Sequence, residues 1–144
     1  MIDLYTWATP NGRKISILLE EINTPYSVHP VNIIENEQFS DEFSRIAPSN
    51  KIPAIIDRDN GQSIFESGAI MMYLAKKHNQ FLSQKHYWQI MEWVIFQLSQ
   101  VGPVLGQAHQ FLYYHPNQSE FVENKYIEYT KRIYQTLNER LKDS

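Results

Sequence analysis

The stretch "SNKIPAIIDRDNGQSIFESGAIMMYLA", residues 49–75, constrains this chain more than any other. Pro53 heads an apolar, β-branched run. Proline has no N–H for a sheet ladder, so it belongs at an edge, a bulge or the first position of a strand. Cis peptide bonds are largely a proline phenomenon, and the Ile52-Pro53 bond is predicted to be cis. Asn60-Gly61 between two β-rich runs signals a hairpin turn, giving "PAIID", the turn "RDNGQ" and "SIFE". A helical pattern follows at once, from Ser67 to about His78. Two questions arise. One reading is that Ile52 lends its backbone to a ligand, and an acid and a hydroxyl at a helix start, Glu66 and Ser67, form either a cap or an anion receptor.

The preceding residues supply the rest of a sheet. "IDLYTW" at 2–7 reads as a strand, and a helix follows with Thr9 as N-cap, Pro10 at its first position and Ile15, Leu18, Leu19 and Ile22 at helical spacing. "YSVHPVNI" at 26–33 is a second strand whose Pro30 marks an edge or bulge, which makes a right-handed βαβ unit. Residues 38–47 form a short helix at best. The order β-α-β-α-β-β-α is the thioredoxin-like arrangement, a mixed sheet with helices on both faces.

After the connector "NQFLSQ" at 79–84 the pattern becomes wholly helical. Ile90, Trp93, Val94, Val101, Val104, Leu105, Ala108 and Phe111 recur at three- and four-residue steps in a long helix over 85–114, with a kink expected at Gly102-Pro103. His115-Pro116 ends it. Asn117 and Glu120 are the expected capping pair of a last helix whose one face carries Val122, Tyr126, Tyr129, Ile133, Leu137 and Leu141. The organisation is an α/β domain at 1–78, a linker at 79–84 and a partial all-helical domain of two long helices at 85–144.

Composition excludes several functions. The 144 residues hold no cysteine, which removes disulfides, thiolate zinc sites and any thiol nucleophile of the chain's own. A net charge of −3, with no Lys/Arg block longer than two, argues against nucleic acid. His29, His78, His86, His109 and His115 lack metal-ligand spacing, so no metal is expected. No apolar run reaches the length of a membrane span and no leader pattern opens the chain, so a soluble, unprocessed, cytoplasmic protein is expected.

"LYTWATPNGRKISILLEE", "QFSDEFSRIAPSNKIPAIID" and "IFESGAIMMYLA" resemble the glutathione transferases, in particular the bacterial nu class and the transferase-like domain of the fungal nitrogen-regulating prion protein. The resemblance covers nearly the whole chain, although family members continue for several more helices. It implies that the backbone of Ile52, turned outward by a cis Pro53, bonds the cysteinyl unit of glutathione. It implies that Ser67 takes the γ-glutamyl carboxylate, that Glu66 pairs with the adjacent ammonium, and that Lys51 and Gln38 lie near the glycine carboxylate. Thr9 and Asn11 match positions that approach the sulfur, whereas Tyr5 falls within the first strand, before that loop. Arg132 matches a residue that some relatives use on a second glutathione. Relatives also pair through the helix after Ser67 and the long helix, so a homodimer using Met71, Met72, Trp88 and Trp93 is expected.

Simpler roles stay open for each residue. Thr9 is a good N-cap whatever the function, and Asn11 before Gly12 suits a turn. Glu66-Ser67 can cap a helix, Gln38 and Lys51 can be surface residues, and Arg132 sits four residues after Glu128 as in a helix ion pair. The stripe through Tyr126, Tyr129 and Tyr134 suits a core or a subunit interface. The functional expectation is glutathione-dependent thiol chemistry, with glutathione as substrate or cosubstrate and a small disulfide, peroxide or electrophile as the other reactant. The alternatives are a non-catalytic glutathione-binding or interaction module and an inactive truncated fragment.

Overall fold

In the computed structural model, which describes residues 1–142, the Asn60-Gly61 turn joins β3 (Ala54–Asp57) to β4 (Gln62–Phe65). Gly61 takes φ 71°, a conformation that costs glycine least, and its N–H donates to the Asp57 carbonyl at 2.7 Å. Upstream run β1 (Ile2–Thr6), α1 (Pro10–Glu21), β2 (Tyr26–Pro30), a 3₁₀ turn at Glu37–Phe39 and α2 (Asp41–Ile46). Downstream of the hairpin comes α3 (Ser67–His78). The sheet order is β2-β1-β3-β4, with β1 parallel to β2 and antiparallel to β3. Pro30 therefore ends an edge strand, Pro53 immediately precedes an internal one, and the Ile52-Pro53 bond is cis. This is the thioredoxin-like domain. Its second strand stops three residues short of the expected Ile33, because its partner β1 ends at Thr6: the Thr6 carbonyl takes the Val31 N–H at 2.9 Å and nothing beyond it continues the ladder.

Strand alternation builds two cores. Ile2, Leu4 and Ile55 face α1 and α3, where Ile15, Leu19, Ile22, Ile70 and Leu74 join them. On the other face Ala54 packs with Phe43 and Ala47 around α2, and with Val31, Tyr5, Ile46 and Ile52. Gly12 lets α1 approach the end of β1: a Cβ there would overlap Thr6 Oγ1 and lie 2.7 Å from the Trp7 carbonyl oxygen.

Residues Met1–Tyr87 form one compact unit and a second begins at Trp88. The helical part comprises α4 (Tyr87–Phe96), α5 (Gly102–His109) and α6 (Glu120–Leu141). The irregularity expected at Gly102-Pro103 takes the form of a π turn at Gln97–Val101 just before it, and a second π turn occupies Gln110–Tyr114. The wider turn suits a place where proline supplies no N–H. Asn117 does not cap the last helix. It adopts φ 65°, and Ser119, in extended backbone, accepts from Val122 N–H at 3.4 Å instead. Among the described residues no helix is long and apolar enough to cross a membrane.

Candidate functional site

The strand register gathers most of the predicted residues. Tyr5 stands opposite Ala54 and Ala54 opposite Phe65, so the end of β1, the start of β3 and the end of β4 share one edge of the sheet. Thr6 pairs with Pro30, which brings the chain after β2 to the same edge. Thr9 and Asn11 stand there at the N-terminus of α1, Glu66 and Ser67 at the N-terminus of α3, and Ile52 and Pro53 just before β3. Gln38 is tied in by Asn50, whose Nδ2 donates to the Gln38 carbonyl at 2.9 Å and to Ser44 Oγ at 2.6 Å.

Glu66 precedes α3 with φ 70° and ψ 119°, and its exposed side chain makes no capping bond. A non-glycine residue in that region is an outlier costing of order 1–3 kcal/mol, and such strain clusters at ligand sites. Ser67 is buried as a residue, at 8% exposure, but its hydroxyl is not among the enclosed polar atoms and bonds no side chain or carbonyl of the described residues, so it faces solvent at the head of α3. The first N–H groups of α3 have no intrahelical acceptor, and Ile70 N–H is the first to find one, in the Glu66 carbonyl at 3.0 Å. An accessible hydroxyl and free N–H groups at the positive end of a twelve-residue helix suit an anion.

At the start of α1 the simpler role of Thr9 is real: its Oγ accepts from Gly12 N–H at 3.3 Å. The first turn is therefore less open than Pro10 and Gly12 suggest, although the Thr9 hydroxyl proton remains available. Asn11 is exposed, and its Oδ1 accepts from Lys14 Nζ at 2.9 Å. Burial pushes the Lys14 ammonium below its usual pKa. Tyr5, on β1, stacks on His29 with ring centroids 4.7 Å apart. Burial raises its phenol above the ordinary value, and the Asp3 charge adds to this. Lys51 is exposed, Ile52 half-buried and Pro53 buried. Gln38 Oε1 is buried with no partner.

Arg132 lies in the other unit, on α6. It does not pair with Glu128, whose Oε1 accepts from Lys131 at 2.7 Å. Its guanidinium lies 5.9 Å from the Tyr129 ring centroid and, with Gln100, Val104, Ile133 and Thr136, lines a cavity of about 360 Å³. Two residues escaped the sequence reading. Asn50 sits at φ 53°, and only its place before "KIP" hinted at a structural role. Lys14 stands one turn after Asn11, a spacing readable as ordinary surface charge. No cluster of three or more His, Asp or Glu able to hold a metal occurs among the described residues.

Residues 1–76 match the glutathione S-transferase N-terminal domain. The chain is 43% identical to the disulfide-bond oxidoreductase YfcG of Escherichia coli, over 100% of this chain and 70% of that protein. It is 35% identical to the protein URE2 of Candida albicans, over 88% of this chain and 40% of that one. A Pseudomonas putida glutathione transferase, solved with one glutathione disulfide per subunit, superposes with a TM-score of 0.91 at 39% identity. That match covers 99% of this chain and 65% of that one. The chain thus spans between 40 and 70% of these three proteins' lengths.

Proposed function

The chain belongs to the glutathione transferase family, and from that premise we propose that it binds glutathione at the edge of its N-terminal sheet and uses the bound thiol to reduce small disulfides or peroxides. The observation that carries this reading is the Glu66-Ser67 dipeptide, a strained backbone that brings a solvent-accessible hydroxyl, on an otherwise buried residue, to the first turn of α3. A zwitterion fits it: carboxylate on Ser67 Oγ and the free N–H groups, ammonium on the Glu66 carboxylate. The cysteinyl unit bonds the Ile52 backbone, and Lys51 and Gln38 receive the glycine carboxylate. A ligand bearing a carboxylate in the cavity beside Arg132 is a second glutathione.

With no cysteine in the chain, the nucleophile is the ligand's own sulfur. The Thr9 hydroxyl and Asn11 Nδ2 donate to it and, with the positive end of α1, favour the thiolate. The thiolate attacks one sulfur of a disulfide, forms the mixed disulfide and expels the other half as thiolate; a second glutathione then resolves the mixed disulfide to glutathione disulfide. The name of YfcG and the glutathione disulfide in the Pseudomonas structure support this chemistry over conjugation to electrophiles.

The test is retention on immobilised glutathione followed by turnover of a small disulfide. Retention and turnover are expected, with turnover reduced by Asn11→Ala. Retention without turnover favours a binding module, and no retention rejects the reading. We also propose a cytoplasmic location and a homodimer that pairs through α3 and the long helix with Met71, Met72, Trp88 and Trp93; exposed apolar residues on the long helix, Trp88 at 76% and Ile95 at 54% exposure, support the homodimer. Sedimentation at micromolar concentration decides it, a compact monomer being the contrary result.

A further inference from the structure

We propose that Lys14 is a positioning residue that holds the Asn11 amide with its NH₂ group toward the reacting sulfur, a role that rests on the thiolate reading above. The two ends of an asparagine amide are alike in shape and opposite in function. Only the NH₂ end stabilises a thiolate, and the carbonyl end repels it. Asn11 is exposed at the second position of α1, so little packing fixes its terminal torsion.

Lys14 removes the ambiguity. It lies three residues on, on the same helical face, and its ammonium can only donate. The bond from Nζ to Asn11 Oδ1, 2.9 Å, commits the carbonyl end and leaves Nδ2 directed away from the lysine. Lys14 forms no ion pair among the described residues, so the amide oxygen is its partner and no carboxylate competes. Thr9 needs no such help, because Gly12 N–H already occupies its oxygen as acceptor and leaves the proton to donate.

The position argues against a merely stabilising lysine. The first turn of α1 has no acidic residue, and Arg13 and Lys14 follow it, at the helix end where the dipole disfavours cations. Such an arrangement raises the positive potential beside Asn11, which a bound thiolate repays.

The test is the thiol pKa of bound glutathione, read by the ultraviolet absorbance of its thiolate, in wild type, Lys14→Met, Lys14→Arg, Asn11→Ala and the Asn11→Ala/Lys14→Met double variant. Lys14→Met is expected to raise that pKa by about half a unit and to lower kcat by up to about two-fold, the smaller thiolate fraction being partly offset by higher nucleophilicity, with glutathione affinity and melting temperature nearly unchanged. Lys14→Arg, which keeps the donor and charge, restores most of both. In the Asn11→Ala background Lys14→Met is expected to add little. An unchanged pKa in Lys14→Met overturns the proposal, as does a shift of equal size in both backgrounds, which would mean a direct field and no positioning. Failure of the wild type to bind glutathione overturns the functional reading and this role together. Binding with an ordinary thiol pKa in the wild type overturns thiolate stabilisation alone, and the role with it.

Discussion

Gly12 and Glu66 show how single residues shape the site. Gly12→Ala would drive a methyl into Thr6 Oγ1 and the Trp7 carbonyl, so either α1 moves off β1 or the loop deforms. The expected cost is about 1–3 kcal/mol, seen as a lowered midpoint in urea. Glu66→Gln leaves the backbone and its φ untouched and removes only the charge, whose side chain makes no capping bond. Glutathione affinity is therefore expected to fall about two- to five-fold, in keeping with an exposed pair worth up to about 1 kcal/mol, while the melting temperature stays within a degree. Thr9 as N-cap was legible because Pro10 follows it at the first helical position. The partner of Asn11 was not, since an i,i+3 lysine looks the same in sequence whether it faces water or fixes an amide.

Elements reach the site through their ends, and the staple between two of them is Asn50. Its side chain ties the carbonyl of Gln38 and the hydroxyl of Ser44 to the residues just before Ile52, from a left-handed backbone that asparagine tolerates. Asn50→Ala loses both bonds and adds strain, for an expected loss of about 1–3 kcal/mol and weaker glutathione binding. Asn50→Gly is expected to recover the backbone part of the stability and none of the affinity. Calorimetric unfolding together with ligand titration separates the two contributions. The seven-element order and the hairpin were readable because a Pro-headed β-branched run, an Asn-Gly turn and a helical period are local signals. The π turns in the long helix were not, because side-chain periodicity does not report which carbonyl each N–H finds. The capping pair at Asn117 failed for a related reason: Ser119 is the better placed acceptor once Asn117 turns left-handed after Pro116.

At the scale of the molecule, two buried carboxylates lock the first unit. Arg58 holds Asp3 through two bonds, at 2.7 and 2.5 Å, and His29 adds a third at 2.7 Å. Against the opposing effect of burial, Arg58 and His29 lower the Asp3 pKa from 3.8 to about 2. Asp57, fully buried, is raised by burial, but bonds from Lys77 and Tyr73, each 2.5 Å, outweigh this and leave it below its ordinary value. Groups whose folded pKa is depressed stabilise fully above the unfolded value and lose that contribution as pH falls through the folded one. Stability is therefore expected to hold down to about pH 4 and to fall steeply toward pH 2, and Asp3→Asn should flatten that fall. Charge pairing of this kind joins residues up to 55 positions apart, which is why no local pattern announced it.

The central claim, that this chain is built around glutathione, meets its most direct test in a calorimetric titration of reduced glutathione into the wild type and Ser67→Ala. One charge-assisted bond lost at Ser67 is worth roughly 1.5–3 kcal/mol, so a saturable site in the wild type should weaken about ten- to a hundred-fold with little change in melting temperature. Absence of saturable heat in the wild type, or equal affinity in the two proteins with a lowered melting temperature in Ser67→Ala, would contradict it and return Glu66-Ser67 to the role of a helix cap.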